Sequence, residues 1–111
     1  LTEMNPNDSL ALQQKSKIVE KATDALENAI NLIAKDQPSD EKGKAIVPLW
    51  IAEYRLYIKD RRLFAQALMT SQTRPYFAET EVEGVPVSER LGKFARENKM
   101  KACQPPLDLS V

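Results

Sequence analysis

The sequence predicts an all-α protein: a four-helix up-down bundle with one long acidic loop and an extended C-terminal tail. Three observations predict it. Apolar residues recur at spacings of three and four along most of the chain, the period of a helix face packed on a core. Glycine is scarce, 3 in 111 residues, whereas β folds need many glycine-rich turns. The helix-like stretches are separated by Asp, Pro and Ser, residues that stop one helix and cap the next. The length suits one domain, taken as residues 1–101, with a tail over 102–111.

Residues 1–7 form a polar lead-in, and Asp8 or Ser9 can cap the first helix. That helix runs to about Lys35. Its expected core row is Leu12, Val19, Ala22, Leu26, Ala29 and Ile33, interrupted by Lys15 and widened by Ile18, Ala25 and Ile30. Its wet face carries Lys17, Lys21, Asp24, Glu27 and Asn31. Asp36-Gln37-Pro38-Ser39 ends the helix, and Ser39 or Asp40 caps the next. Residues 40–47 read as helical, and Pro48 either kinks that helix or opens a new one. Leu49, Ala52 and Leu56 form one helical line, with Trp50, Tyr54 and Tyr57 beside it. Lys59-Asp60-Arg61-Arg62 interrupts the apolar row: either a short break falls there, with Asp60 capping a third helix through Ser71, or residues 48–71 form one long helix, and the break is the favoured reading. Residues 75–86 lack helical period and form the acidic loop, with a short extended piece near Thr80 and Val82. Pro86 opens the last helix, where Val87, Leu91, Phe94 and Asn98 share a face. After Lys101, Cys103-Gln104-Pro105-Pro106 is not helical.

The 16 basic and 16 acidic residues sum to zero, and there is no His. Zero net charge counts against a general nucleic-acid binder, and the absence of His removes the commonest general base and zinc ligand. The zero hides segregation: residues 1–54, 55–74, 75–89 and 90–111 carry net −3, +4, −4 and +3. Blocks of opposite sign orient docking. Arg55, Lys59 and Arg62 recur at helical spacing, with Arg61 to one side, and Arg90, Lys93, Arg96 and Lys99 make a second stripe. Both are candidate contacts for an acidic partner, weighed against the plainer reading of solvated faces paired internally. Glu79, Glu81 and Glu83 form an acidic loop contact, facing either a basic stripe of the same molecule or a basic surface elsewhere.

Catalytic signatures are lacking. There is no phosphate-cradling glycine loop, no nucleophile elbow and no CxxC or HExxH. Glu20, Asp24 and Glu27 share a helix face, but a general acid needs burial or a close like charge, and these lie among lysines. No catalytic residue, cofactor or metal is expected; a calcium site at Glu79–Glu83 is a weak match. Cys103 has no partner for an internal disulfide. Asn7-Asp8-Ser9 matches a glycosylation triplet of a kind that arises often by chance. The Trp50, Tyr54 and Tyr57 stripe is read as core in preference to a stacking platform. The longest apolar runs are far shorter than the roughly 20 residues of a membrane span. The first residue is Leu, which fits either a processed, mature chain or one trimmed at its start, with processing the slightly favoured expectation.

The order of features resembles the small four-helix extrinsic proteins of photosystem II, the PsbQ-like subunits and lumenal assembly factors. Asp24-Ala25-Leu26-Glu27-Asn28-Ala29-Ile30 resembles the end of their first helix, followed by an Asp/Pro linker at Asp36-Gln37-Pro38. Ile51-Ala52-Glu53-Tyr54-Arg55 resembles the aromatic-Arg end of the second helix, and Pro86-Val87-Ser88-Glu89-Arg90-Leu91 the Pro-led start of the last. The likeness covers roughly residues 16–96. Here the first helix is longer, an acidic loop replaces an aromatic-rich turn, and no lipidated N-terminal Cys is seen, so the diatom-type soluble subunit fits better than the assembly factor. The resemblance implies a non-catalytic subunit in the thylakoid lumen, peripheral to the membrane. It would dock electrostatically on the lumenal loops of the photosystem II core and support oxygen evolution. The alternative is a soluble helical adaptor, chaperone or immunity protein.

Overall fold

The computed structural model describes residues 6–70 and 75–97. Helix α1 spans Pro6–Lys35, α2 Glu41–Thr70 and α3 Val87–Glu97. A two-residue hairpin, β1 Glu81–Val82 and β2 Val85–Pro86, precedes α3. The architecture is mostly helical, and the described residues show three helices in place of the four expected.

The lost helix boundary is the one placed at Lys59–Arg62, through which α2 runs unbroken. No Gly or Pro lies in that quartet, and each of its side chains finds a setting along a continuous helix. Asp60 is buried and accepts from the Thr80 amide at 2.6 Å and the Thr80 hydroxyl at 2.8 Å. It therefore fastens the pre-hairpin segment to the middle of α2 and caps no helix. Pro48 also lies inside α2, so the helix forgoes one hydrogen bond there and continues. The segment Ile51–Arg55, likened above to a helix end, falls in the helix interior. Pro6 opens α1 ahead of the expected cap, at a position that suits proline because its amide has no helical partner.

Five residues, 36–40, join α1 to α2, short enough to force antiparallel neighbours. Asp40 caps α2 as expected, its carboxylate accepting from the Gly43 amide at 3.1 Å. Gly43 is needed here: a Cβ would lie 2.5 Å from Pro38 Cβ.

The buried row of α1 is Leu12, Ser16, Val19, Thr23 and Ile30, joined by the partly buried Leu26 and Ile33. This row differs from the expected one. Ser16 and Thr23 replace Ala22 and Ala29 because their hydroxyls find backbone acceptors: Ala65 carbonyl for Ser16 and Val19 carbonyl for Thr23, both at 2.6 Å. Ala29 is exposed. On α2 the core is Trp50, Ile51, Tyr54, Tyr57, Ile58, Phe64, Ala65 and Leu68, and α3 adds Val87, Leu91 and Ala95. A ladder of rings runs Phe94, Trp50, Tyr54, Tyr57, Phe77, Phe64, with neighbouring centroids 5.3–6.1 Å apart. The aromatic stripe is thus core, as read from the sequence.

The acidic loop is only partly irregular. Glu81 pairs with Pro86 and Val82 with Val85, antiparallel, around a Glu83-Gly84 turn. Both turn residues have positive φ, 55° and 79°, the combination that matches the twist of a tight hairpin. The expected tail over 102–111, Cys103, Lys99 and Asn98 lie outside the described residues.

Candidate functional site

Of the seven basic candidates, four (Arg55, Lys59, Lys93 and Arg96) keep an exposed charge, and three (Arg61, Arg62 and Arg90) are engaged in the fold. The strongest correction is Arg61, which is fully buried. Its Nε donates to Thr23 Oγ1 at 2.8 Å, and its guanidinium carbon lies 5.8 Å from the centre of the Tyr57 ring. It joins α1 to α2 and is not a surface contact.

Arg62 reaches across the same seam. It meets Glu20 at 3.3 Å, Asp24 at 3.0 Å and Glu27 at 2.9 Å, all on α1. Burial acts against the charged form of Arg62, but hydrogen bonds to Asp24 and Glu27 and the fields of Glu20 and Glu27 outweigh it, so its pKa is raised. The face of α1 expected to be merely wet is therefore a three-carboxylate clamp. Arg55 lies on the same edge of α2, where it donates to the Asn31 side-chain carbonyl at 3.1 Å. That partner is neutral, so the charge of Arg55 is not cancelled. Lys59 is exposed and has no ion pair among the described residues.

On α3, Arg90 holds Glu53 of α2 through two hydrogen bonds, 2.5 and 3.0 Å, and lies 3.6 Å from Glu83. The hydrogen bond to Glu53 is the main reason its pKa is raised. Lys93 makes one long contact, 3.8 Å, to Glu97 on its own helix, both well exposed. Arg96 is exposed and has no ion pair among the described residues.

The acidic trio also divides. Glu79 accepts from the Ser88 amide at 2.9 Å, satisfying a free donor in the first turn of α3. Glu83 belongs to the Arg90 group, and Glu81 is exposed. The charge blocks seen along the sequence therefore cancel in part against one another, at Arg62 and at Arg90. What remains outward is a smaller cationic set: Arg55 and Lys59 on α2, Lys93 and Arg96 on α3.

Sequence reasoning missed a cleft at the end of the molecule where α1 meets α2. A cavity of about 480 Å³ is lined by Ile33, Pro38, Ile46, Val47, Trp50 and Phe94, and one of about 310 Å³ adjoins it across Trp50 and Phe94. The Trp50 indole nitrogen is buried with no hydrogen-bond partner among the described residues. Ile46 and Val47 lie 13 or more residues from Ile33 and Phe94, so no local pattern points to the cleft. Among the described residues, no cluster of His, Cys, Asp or Glu is arranged to hold a metal ion, and no helix is long and apolar enough to cross a membrane.

Comparison with protein-family models, curated proteins and solved structures finds no match for this chain.

Proposed function

We propose that this chain is a non-catalytic binding protein, and more particularly an extrinsic subunit of photosystem II in the thylakoid lumen. It docks on acidic lumenal loops of the intrinsic core and supports oxygen evolution. The observation that carries the reading is the set of cations left outward after internal pairing, Arg55, Lys59, Lys93 and Arg96. The resemblance of the helix-end patterns supplies the particular partner, and Pro86-Val87 opening α3 agrees with the Pro-led last helix of that pattern. Docking of this kind needs no fourth helix.

The test is a salt wash of photosystem II membranes. The chain is expected to copurify with the complex at low salt and to leave it in about 1 M salt, where the screening length falls to about 3 Å. Retention at that salt, or no copurification at low salt, counts against the reading.

A second reading, a soluble helical adaptor, chaperone or immunity protein, is favoured by the apolar side chains at the surface: Leu32 and Leu49 are 67% and 66% exposed. The precursor discriminates. A bipartite targeting presequence supports the lumenal subunit, whereas a bacterial gene adjoining that of a binding target supports the adaptor.

A further inference from the structure

We infer that the outer face of α1 docks an amphipathic helix of a partner protein, apolar along its seam and edged with Glu or Asp. This goes beyond the photosystem reading and does not depend on it.

Ile18, Ala22, Ala25, Ala29 and Leu32 follow one another at steps of four, three, four and three, so they form one continuous row. They are not the row that packs on α2, which is Leu12, Ser16, Val19, Thr23, Leu26, Ile30 and Ile33. The second row lies one residue earlier throughout, hence about 100° around the helix. It is turned away from α2: Ile18 is 64% and Leu32 67% exposed, and Ala25 and Ala29 are exposed. α3 packs on α2, and among the described residues nothing buries Ile18, Ala25, Ala29 or Leu32. The alanines between the two larger residues allow another backbone to approach at the short end of the usual interaxial range, about 8 Å.

Charge selects the occupant. Between Leu10 and Lys35 the only acidic residues are Glu20, Asp24 and Glu27, and all three are drawn to the α2 side by Arg62. The opposite edge of the apolar row carries Lys17, Lys21 and Lys35, all exposed. The flank beside the apolar row is therefore basic, and the acid nearest to it, Asp24, is held by Arg62 at 3.0 Å, which complements an acidic amphipathic helix. A second copy meeting through the same face would set lysines against lysines. The residues after Glu97 include Lys99 and Lys101 against a single acid, Asp108, and are equally poor complements. An anionic membrane suits the lysines, but interfacial helices bury large side chains such as Trp, Phe and Leu, and three of these five are alanine.

The test is a titration of the full chain with a labelled synthetic helical peptide whose apolar seam is flanked by Glu, followed by fluorescence anisotropy. A peptide with the same seam flanked by Lys is the control. Binding of the Glu peptide below about 1 mM, weakened tenfold or more by Ile18→Glu and by Leu32→Glu, supports the proposal. Leu49→Glu on α2, which leaves the α1 row intact, is expected to bind within twofold of the parent. Because Ile18 and Leu32 are exposed, circular dichroism of both variants should match the parent. No binding of the Glu peptide to 1 mM, equal binding of the Lys peptide, loss of binding in Leu49→Glu alone, preferential uptake by phosphatidylserine vesicles, or self-association that occupies the face overturns it.

Discussion

Arg61 and Arg62 are adjacent in sequence and do different work. Arg61 fills the space between α1 and α2 and donates a hydrogen bond from its Nε–H to Thr23 Oγ1, while the Thr23 hydroxyl itself donates to the Val19 carbonyl. Truncating a buried, hydrogen-bonded cation leaves both a cavity and orphaned polar groups. Arg61→Ala is expected to lower stability by about 3 kcal/mol, read from urea unfolding. Arg62 lies about one-third exposed over three carboxylates that are more exposed still, so water screens the cluster. Arg62→Ala is expected to cost about 1 kcal/mol, with the difference from the parent shrinking in about 1 M salt. A cost for Arg62→Ala equal to that for Arg61→Ala contradicts this division. The pH sign follows from the raised arginine pKa values. A folded pKa above the unfolded one favours folding at every pH below the ordinary arginine range, and the contribution fades only as strongly alkaline pH passes the raised value. Neither Arg62 nor Arg90 therefore makes stability vary between neutral pH and mildly alkaline pH.

At the level of the elements, α2 carries two residues that helix propensity alone would remove, and they answer to different constraints. Gly43 is in close contact with Pro38 and with the capping carboxylate of Asp40. Gly43→Ala should therefore destabilise by about 1–2 kcal/mol, although alanine is the better helix former. Pro48 is exposed and only interrupts the ladder. Pro48→Ala should stabilise by about 1–3 kcal/mol. Thermal unfolding of the two variants should move in opposite directions, and movement in the same direction would show the assignment of Gly43 to be wrong.

The long helices, the Asp40 cap, the aromatic core and the Pro-led start of α3 were legible because each follows from local period or capping chemistry. Three features were not. Four consecutive charged residues, Lys59 to Arg62, suggest a boundary when charge is equated with solvent. Two of them are buried because Thr80 and Thr23, 20 and 38 residues away, satisfy them. In the core row of α1, Leu12, Val19, Leu26 and Ile33 fall as expected, but Ser16 and Thr23 escape because they look polar in sequence and are satisfied only in the folded backbone. The Glu83-Gly84 turn escaped because glutamate is an unusual residue at positive φ. For the same reason the pairing of stripes was hidden. Whether Arg90 faces a partner or Glu53 depends on a separation of 37 residues that no spacing rule reaches.

For the whole molecule, the apparent dipole of the sequence is reduced by internal pairing, and docking falls to the cations that remain. Two pairs of charge reversals separate the helices involved: Arg55→Glu with Lys59→Glu on α2, and Lys93→Glu with Arg96→Glu on α3. All four positions are exposed, so each variant should keep its fold within about 0.5 kcal/mol per substitution. The most direct measurement of the central claim is a rebinding titration of the parent and both variants on salt-washed photosystem II membranes at low ionic strength. The account predicts saturable rebinding of the parent and a loss of tenfold or more in affinity for at least the α2 pair, consistent with a dominant electrostatic contact. Parent-like rebinding of both variants, or no saturable rebinding of the parent, would contradict it.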